Sequence, residues 1–427
     1  MMKKFYIKTF GCQMNKNDSS IIARILNENG YEQTYDCNLA HMFIVNTCSV
    51  REHAETRALG YIAGLKKWCN KRKRVIAVVG CMARRIADRI VTRFPFVDLV
   101  LGPDSYRKIG YLADQTIAQH TKIIETSLTN ETYCGIHPTA LGVTDFVSIM
   151  RGCSNFCSYC IVPYVRGRAR SRPTGDIVEE IEGLVKSGVK DITLLGQNVN
   201  EYTYGKTDFA GLLDILAKIH GLFRLRFLTS HPKDLNDAVI EAVRANSNIC
   251  EWFHLPLQSG NNRILQLMNR AYTKEIYLQL ISKIRERIPE ATITTDVIVG
   301  FPTETDKEFE ETIDVMAEVK FDDAYMYRYS PREGTKAYRY HALPEKIIKD
   351  RLEKLIDFQR KIILEKTKMM IGKEFEVLFE GRTKNRATRG TNRGNKNIIV
   401  EQEITSGEVR EVIIEKVKGS TPVGRLI

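Results

Sequence analysis

Residues 151–160 read RGCSNFCSYC and place three cysteines, Cys153, Cys157 and Cys160, within one short loop. The loop follows directly after a strand-like apolar run, DFVSIM (145–150). Structural zinc sites and ordinary iron–sulfur clusters use four protein ligands, so one ligand is missing here. A loop this tight can bind three irons of a cubane cluster and leave the fourth iron open to a small molecule. A zinc site with a remote fourth ligand, such as His254, is the alternative interpretation.

The sequence around this loop predicts a partial, open (β/α)6 barrel over residues 143–370. Six strand-like runs alternate with helical segments, and six units are fewer than the eight that close a full barrel. In such folds the reactive groups lie at the C-terminal ends of the strands, where the cysteine loop is placed. A long amphipathic helix from Glu345 to about Met370 ends the region. The six runs are DFVSIM (145–150), DITLLG (191–196), RLRFLTS (224–230), WFHLPLQ (252–258), TTDVIVG (294–300) and DAYMYRYS (323–330).

The chain on either side of the barrel predicts two further domains. Residues 1–118 alternate short apolar runs with amphipathic segments, which is typical of a doubly wound parallel sheet. Residues 119–142 carry weak periodicity and are expected to form a linker over the surface. Residues 371–427 contain short alternating strands broken by Gly and Asn, which predict a small antiparallel β-barrel.

A second group of cysteines lies in the N-terminal domain. Cys12, Cys48 and Cys81 are far apart in sequence, but each follows a predicted strand, in KTFGC, VNTC and VVGC. In a parallel sheet the turns after the strands lie along one edge, where ligands bind, so the three thiols are expected to converge. Three buried thiols without a ligand are the alternative. The shared register favours a second metal-binding triad that also lacks a fourth protein ligand.

Composition and charge limit the class of protein. Lys and Arg number 64 against 52 Asp and Glu, a net charge of +12 that favours polyanions, although general solubility explains it equally well. The ten cysteines are not expected to form disulfides in a reducing compartment, which favours metal binding for those that cluster. No apolar run approaches the roughly 20 residues of a membrane span, and the N-terminus lacks signal-peptide features. We therefore expect a cytoplasmic protein.

The first cysteine loop resembles the signature of the radical S-adenosylmethionine (SAM) superfamily, in its spacing and in its place after the first barrel strand. The resemblance implies that SAM binds the open iron of a [4Fe–4S] cluster held by Cys153, Cys157 and Cys160. It further implies that an electron from the cluster splits SAM into a 5′-deoxyadenosyl radical that abstracts a hydrogen atom. Gln197, Gln258 and Asp296 at other strand ends are the expected SAM contacts, with helix capping or turn formation as the alternative.

The combination of both triads with a small C-terminal barrel resembles the radical SAM methylthiotransferases over essentially the whole chain. The resemblance implies a second [4Fe–4S] cluster on Cys12, Cys48 and Cys81 that takes part in sulfur insertion. It also implies two SAM molecules per turnover, one giving a methyl group to a cluster-bound sulfur and one generating the radical. An electron donor such as flavodoxin or ferredoxin, a sulfur donor or cluster-repair protein, and a monomeric enzyme are expected on the same ground.

Within that family, the segments NTCSVREHAE, CSYCIVPYVRGRARSRP, LTSHPKDL, HLPLQSGNNRILQLMNRAYT and STPVG resemble the MiaB type most. This resemblance implies methylthiolation of carbon 2 of N6-isopentenyladenosine in the anticodon stem-loop of tRNA. Two related activities are the nearest alternatives, on threonylcarbamoyl-adenosine in tRNA or on an aspartate of a ribosomal protein. A non-catalytic RNA-binding protein stabilised by zinc is the alternative from another class.

Basic residues near the cluster loop and in the C-terminal barrel are the expected RNA contacts. Positions 381–400 contain no acidic residue, and their Gly and Asn residues would let the backbone approach phosphates. The family resemblance implies that this barrel is a TRAM-like RNA-binding domain, whereas a solvated basic loop is the alternative. The predicted contacts are Arg166, Arg168, Arg382, Lys384, Arg386, Arg389, Arg393 and Lys396.

Overall fold

A computed structural model describes residues 3–50, 52–69, 74–382 and 387–427. It confirms the predicted fold class: a parallel α/β sheet, an open half-barrel of parallel strands and a small closed β-barrel follow one another along the chain. Lys384 and Arg386 lie outside the described residues. Within the described ranges, none of the helices combines the length and apolar character that a membrane span requires.

The N-terminal sheet contains six parallel strands in the order β2-β1-β3-β4-β5-β6. Its central strands β3 and β4 are buried along their whole length, because helices cover both faces of the sheet. The strands are β1 (Lys3–Thr9), β2 (Tyr31–Gln33), β3 (Met42–Thr47), β4 (Val75–Gly80), β5 (Leu99–Leu101) and β6 (Ile123–Glu125). The helices are α1 (Gln13–Glu28), α2 (Glu52–Gly64), α3 (Lys66–Cys69), α4 (Cys81–Arg85), α5 (Ala87–Arg93) and α6 (Ile109–Gln119).

Strand β6 corrects one expectation, because it lies inside the segment 119–142 predicted as a linker. Ile123 pairs with Leu99 and Glu125 with Leu101, so the segment begins by extending the sheet. The run is only three residues long and has polar neighbours, which hid its strand character in the sequence. The remaining part, 126–142, has no further helix or strand.

The central region forms an open half-barrel from two three-stranded parallel sheets, β7-β10-β13 and β14-β15-β16. A parallel bridge between Leu225 and Ile249 joins the two sheets. The main strands are β7 (Thr144–Ser148), β10 (Asp191–Leu195), β13 (Arg224–Phe227), β14 (Trp252–His254), β15 (Thr292–Val299) and β16 (Asp323–Arg328). Short strands are β8 (Met150–Arg151), β9 (Arg170–Ser171), β11 (Thr203–Tyr204) and β12 (Thr207–Asp208). The helices are α7 (Val162–Arg166), α8 (Thr174–Lys186), α9 (Phe209–Ala217), α10 (Asp237–Ala245), α11 (Asn262–Leu267), α12 (Lys274–Arg287) and α13 (Asp306–Val319).

Alternate residues of these strands have opposite environments, as the pleat requires. Leu225, Phe227 and Phe253 pack outward in the core beneath the helices. Arg226, Trp252 and His254 instead line the lumen. The half-barrel therefore has a dry outer layer and a polar interior that opens at the C-terminal strand ends.

A closed five-stranded barrel in the order β17-β18-β19-β21-β20 follows the long helix. Buried guanidinium groups attach it to the N-terminal end of the half-barrel: Arg224 donates to the carbonyl of Thr391, and Arg226 to the carbonyls of Asn392 and Arg393. The barrel therefore closes the lower end of the lumen. Its elements are α14 (Glu345–Lys368), β17 (Glu374–Arg382), β18 (Thr388–Thr391), β19 (Asn397–Val400), β20 (Val409–Lys418) and β21 (Thr421–Leu426).

Candidate functional site

Both cysteine triads line a single cavity of about 840 Å³. The cavity includes the lumen of the half-barrel and extends to the turns that follow β1, β3 and β4. The carboxyl ends of parallel strands in two separate sheets therefore face a common space, where both folds are expected to bind ligands. Gln197, Gln258 and Asp296 line the same cavity.

The first triad lies in a loop whose backbone has little freedom. Gly152 adopts φ +78°, and a Cβ there would lie 2.1 Å from the carbonyl oxygen of Arg168. The Gly152 amide donates to Oε1 of Gln197 at 2.5 Å, which joins the loop to the end of β10. Because only glycine fits this close approach, the residue before Cys153 is fixed by the packing. Gln197 thus positions the loop through its carbonyl oxygen.

Arg270 places a buried positive charge beside the first triad. Its guanidinium donates to Sγ of Cys157 at 3.4 Å, to the Tyr272 hydroxyl and to the carbonyl of Pro256. In the described part of the chain no carboxylate lies within ion-pair distance of Arg270. A buried charge is costly unless an opposite charge accompanies it, so this arginine fits an anionic group such as a thiolate-bound cluster.

Burial favours the protonated form of two thiols of the first triad, Cys153 and Cys160. Burial raises the pKa of Cys160 to about 12 and raises the pKa of Cys153. A metal ligand must be a thiolate, so binding here releases protons. His254, considered above as a remote zinc ligand, instead has Nδ1 3.0 Å from Thr294 Oγ1 and Nε2 3.4 Å from Asp296 Oδ2.

The second triad occupies the switch point of the N-terminal sheet. Cys12 follows β1 and Cys48 follows β3, and in this strand order the crossovers from β1 and β3 diverge to leave a crevice. Cys81 is the first residue of α4, which directly follows the neighbouring strand β4. A hydrogen bond with Cys48 lowers the pKa of Cys12 to about 6, and the same contact together with burial raises that of Cys48 well above its usual value.

Two glycines allow these cysteines to approach one another. Gly11 has φ +128°, and a Cβ there would lie 2.5 Å from the Cβ of Cys48. Gly80 has φ +100°, and its Cβ would lie 2.4 Å from the carbonyl oxygen of Thr47. Each of these glycines directly precedes a cysteine, so the turns are shaped to bring the thiols together.

Within the part of the chain that the structure describes, two buried polar groups on adjacent strand ends have no hydrogen-bond partner. His231 accepts the Lys233 amide proton at Nδ1, so its remaining proton is on Nε2, which is unpartnered among the described residues. Gln258 has φ +69°, and its Oε1 is also buried without a partner in the described structure. A donor and an acceptor that both line the cavity fit a polar ligand such as SAM, and strained residues of this kind cluster at functional sites.

The predicted RNA contacts separate into exposed and buried residues. Arg168 is exposed and lies 5.2 Å above the ring of Phe156 in the cysteine loop. Arg382 and Arg389 are exposed on the C-terminal barrel in ion pairs with Glu403 and Glu380. These three remain predicted contacts.

Of three other predicted contacts, Arg166 requires correction, whereas Arg393 and Lys396 are partly buried and remain untested as RNA contacts. Arg166 is buried, with its guanidinium bound to Asp18 and to Sγ of Cys81, so it is not a surface contact for RNA phosphates. Arg393 donates both to Glu251 and to the carbonyl of Ile249, which attaches the C-terminal barrel to the half-barrel. Lys396 is half-buried in a separate cavity of about 330 Å³, where burial lowers its pKa despite Asp323 and Asp322.

Several residues of the site carried no recognised signal in the sequence. Arg270 lies between α11 and α12, His231 lies in the loop after β13, and neither belongs to a spacing pattern. Asp18 did offer a signal, since it shares the apolar face of α1 with Met14, Ile21 and Ile25. A charged residue on a buried helix face requires a partner.

Two family models match this chain. The model of the radical SAM superfamily matches residues 147–316, and that described as uncharacterized protein family UPF0004 matches residues 4–102. The two matches therefore cover the half-barrel and the N-terminal sheet separately.

Curated relatives match nearly the whole chain. A protein of Caldicellulosiruptor saccharolyticus is 45% identical over 93% of this chain and 87% of its own length. One of Syntrophus aciditrophicus is 46% identical over 93% and 88%, and one of Clostridium perfringens is 42% identical over 100% and 98%. All three are named tRNA-2-methylthio-N(6)-dimethylallyladenosine synthase.

Solved structures share the fold at low identity. The radical SAM methyltransferase TsrM of Kitasatospora setae, with cobalamin and a [4Fe–4S] cluster, has a TM-score of 0.59 at 13% identity. That match covers 77% of this chain and 72% of TsrM. The cobalamin-dependent SAM radical enzyme OxsB has a TM-score of 0.55 at 10% identity over 84% of this chain and 56% of its own.

Proposed function

Because the chain belongs to the family of tRNA-2-methylthio-N(6)-dimethylallyladenosine synthases, which are radical SAM enzymes, we propose that it methylthiolates carbon 2 of N6-isopentenyladenosine beside the tRNA anticodon. The observation that carries the proposal is the single cavity lined by both cysteine triads. One triad alone supports radical chemistry in general. Two triads facing one space support insertion of sulfur at the carbon that is activated there.

Membership of the radical SAM superfamily implies a [4Fe–4S] cluster and SAM, and the cysteine loop 153–160 supplies three thiolates and an adjacent positive charge for them. We propose that Cys12, Cys48 and Cys81 hold a second [4Fe–4S] cluster, and that two SAM molecules are used per turnover. When bound, these groups supply the electron, the methyl group and the sulfur. Gln258, Asp296 and His231 then orient SAM through the unpartnered or cavity-facing polar atoms described above.

The lumen provides the site for the substrate base. Trp252, His254 and Tyr325 line it below the first triad, and rings of this type stack on an extruded adenine and exclude water. Asn395 and Asn397 of the C-terminal barrel line the lower part. Their amide groups can hydrogen-bond base edges or ribose, so the proposed RNA-binding domain contributes directly to the pocket.

The proposed partners are a tRNA anticodon stem-loop, an electron donor such as flavodoxin or ferredoxin, and a sulfur donor or cluster-repair protein. Arg168, Arg382 and Arg389 are the exposed residues that would contact RNA phosphates. A monomer in the cytoplasm is the proposed state, since free thiols and reduced clusters need a reducing compartment.

The test is an anaerobic reaction of reconstituted protein with an isopentenylated anticodon stem-loop, SAM, a reductant and sulfide, analysed by nucleoside mass spectrometry. We expect 2-methylthio-N6-isopentenyladenosine as product and about eight irons per chain. Product from a threonylcarbamoyl-adenosine stem-loop but none from the isopentenylated one would overturn the substrate assignment.

Two cysteine variants separate the roles of the triads. Cys157→Ala is expected to abolish formation of 5′-deoxyadenosine, whereas Cys48→Ala should retain it and lose methylthio product. Cys250→Ala is the matched control for Cys48→Ala, because Cys250 is as buried as Cys48 but lies outside both triads. Methylthio product from the Cys48 variant would contradict the two-cluster proposal.

A further inference from the structure

One buried carboxylate, that of Asp18, links the segments that carry the two triads. Asp18 is fully buried on α1, the helix that begins directly after Cys12. Its Oδ1 accepts from Arg151 at 2.9 Å and its Oδ2 from Arg166 at 2.6 Å. Arg151 immediately precedes the first cysteine loop, and Arg166 ends the helix α7 that follows it. The loop is therefore held at both ends by a residue of the N-terminal domain.

Arg166 extends this connection to a ligand of the second triad. Its Nε donates to Sγ of Cys81 at 3.1 Å, and its Nη1 is buried without a partner among the described residues. Burial opposes ionisation of Asp18, but Arg151 and Arg166 outweigh it and lower the pKa of the carboxyl. Cys81 therefore contacts the charged guanidinium of Arg166, which in turn contacts the charged carboxylate of Asp18.

We propose that Asp18 is a positioning residue that aligns the two triads, and that Arg166, held by Asp18, sets the reduction potential of the group bound by Cys12, Cys48 and Cys81. The inference rests on the proposed second cluster. N–H···S hydrogen bonds and nearby positive charge favour the reduced, more negative state of an iron–sulfur cluster. The charge of Arg166 raises the potential, and the carboxylate of Asp18 moderates that effect.

The two residues therefore predict shifts of opposite sign. Arg166→Gln removes the positive charge and is expected to lower the potential of the second cluster. Asp18→Asn removes the moderating negative charge while keeping the side-chain size, and is expected to raise it. A residue that only packs the interface would shift the potential in the same direction in both variants, or in neither.

The experiment is a redox titration of the reconstituted protein followed by electron paramagnetic resonance, without RNA. Asp104→Asn is the matched control, because Asp104 is also buried and pairs across this interface with Arg170, which contacts no cysteine of either triad. Arg166→Lys, which keeps the charge, serves where Arg166→Gln fails to fold. Arg166→Lys should shift the reduction potential of the second cluster less than Asp18→Asn shifts it.

The outcomes distinguish this inference from the proposed function. Opposite shifts of the second cluster, with an unchanged first cluster and an unchanged Asp104 variant, support the inference. If the wild-type protein holds only about four irons per chain, it has no second cluster, and the proposal on which this inference rests fails. About eight irons with equal potentials in all variants would overturn the role of Asp18 and Arg166 alone.

Discussion

His231 shows how a single side chain near the first triad is held in one protonation state. Burial, with contributions from Arg270 and Lys233, lowers its pKa to about 2. In the unfolded chain a histidine has a pKa of about 6.5. Below that pH the unfolded state takes up a proton that the folded state refuses, so folding stability falls as pH decreases from 6.5 towards 2.

A substitution at this position should remove the pH dependence. Between pH 7.5 and 5.5 the His231→Asn apoprotein is expected to lose about 1.4 kcal/mol less folding free energy than the wild type, as measured by urea unfolding. His220→Asn is the control, since His220 is exposed on the surface of the half-barrel. Equal losses in the wild type and the His231 variant would contradict the assignment.

Contacts between distant residues explain why some of the site could not be predicted from the sequence. The convergence of Cys12, Cys48 and Cys81 could be predicted, because one rule about parallel strands applies to all three. Arg270 contacts Cys157 across 113 positions of the chain. No local pattern marks such a contact, so the arginine is indistinguishable in sequence from those on the surface.

At the scale of the element, the turn between β4 and α4 determines where Cys81 lies. Gly80 has φ +100° and lies against the carbonyl of Thr47, so a side chain there is both strained and obstructed. Gly80→Ala is expected to cost about 1–3 kcal/mol of folding stability. It should also displace Cys81, so that iron falls from about eight to about four per chain while 5′-deoxyadenosine formation persists.

The control for this prediction isolates the backbone strain. Gly135 has φ +76°, but no described residue lies within 4 Å of its Cβ position, so Gly135→Ala tests the positive φ without the collision. We expect that variant to retain all its iron by chemical assay. Full iron content in the Gly80 variant as well would show that the turn does not position Cys81.

Element boundaries show a related limit of the sequence. The strands of the half-barrel and the 345–368 helix could be predicted from periodicity, because buried runs and amphipathic stripes are local signals. Strand β6 could not be predicted in this way, since its three residues at the sheet edge derive their structure from pairing with β5. Tertiary contact overrides weak local preference at such edges.

At the scale of the whole molecule, part of the arginine content lies inside the protein. Arg151, Arg172, Arg224, Arg226 and Arg270 are all buried and bind carboxylates, carbonyl oxygens or a cysteine. Four of them pair with carboxylates, so their burial takes little from the net charge of +12. Many of these arginines join domains, so much of the basic character maintains the architecture around the cavity.

The docking of the C-terminal barrel is the most testable of these junctions. Arg224 is fully buried and donates to the carbonyls of Thr391 and Glu376 and to Oε1 of Glu376 at 2.7 Å. Arg224→Met leaves these acceptors without a donor, at about 1–3 kcal/mol for each buried group. We expect the barrel to undock, tRNA affinity to fall at least tenfold, and RNA-independent SAM cleavage to continue.

Limited proteolysis and tRNA binding measure this effect together. The undocked variant should be cut faster between α14 and β17, where the chain passes from one domain to the other. Arg410→Met is the matched control, because Arg410 also pairs with a glutamate on the C-terminal barrel, but at an exposed site where ion pairs contribute little. Wild-type protection and wild-type tRNA affinity in the Arg224 variant would mean that the barrel is held by its remaining contacts, Arg226 and Arg393 among them. In that case the lower wall of the cavity is set by the whole interface rather than by one arginine.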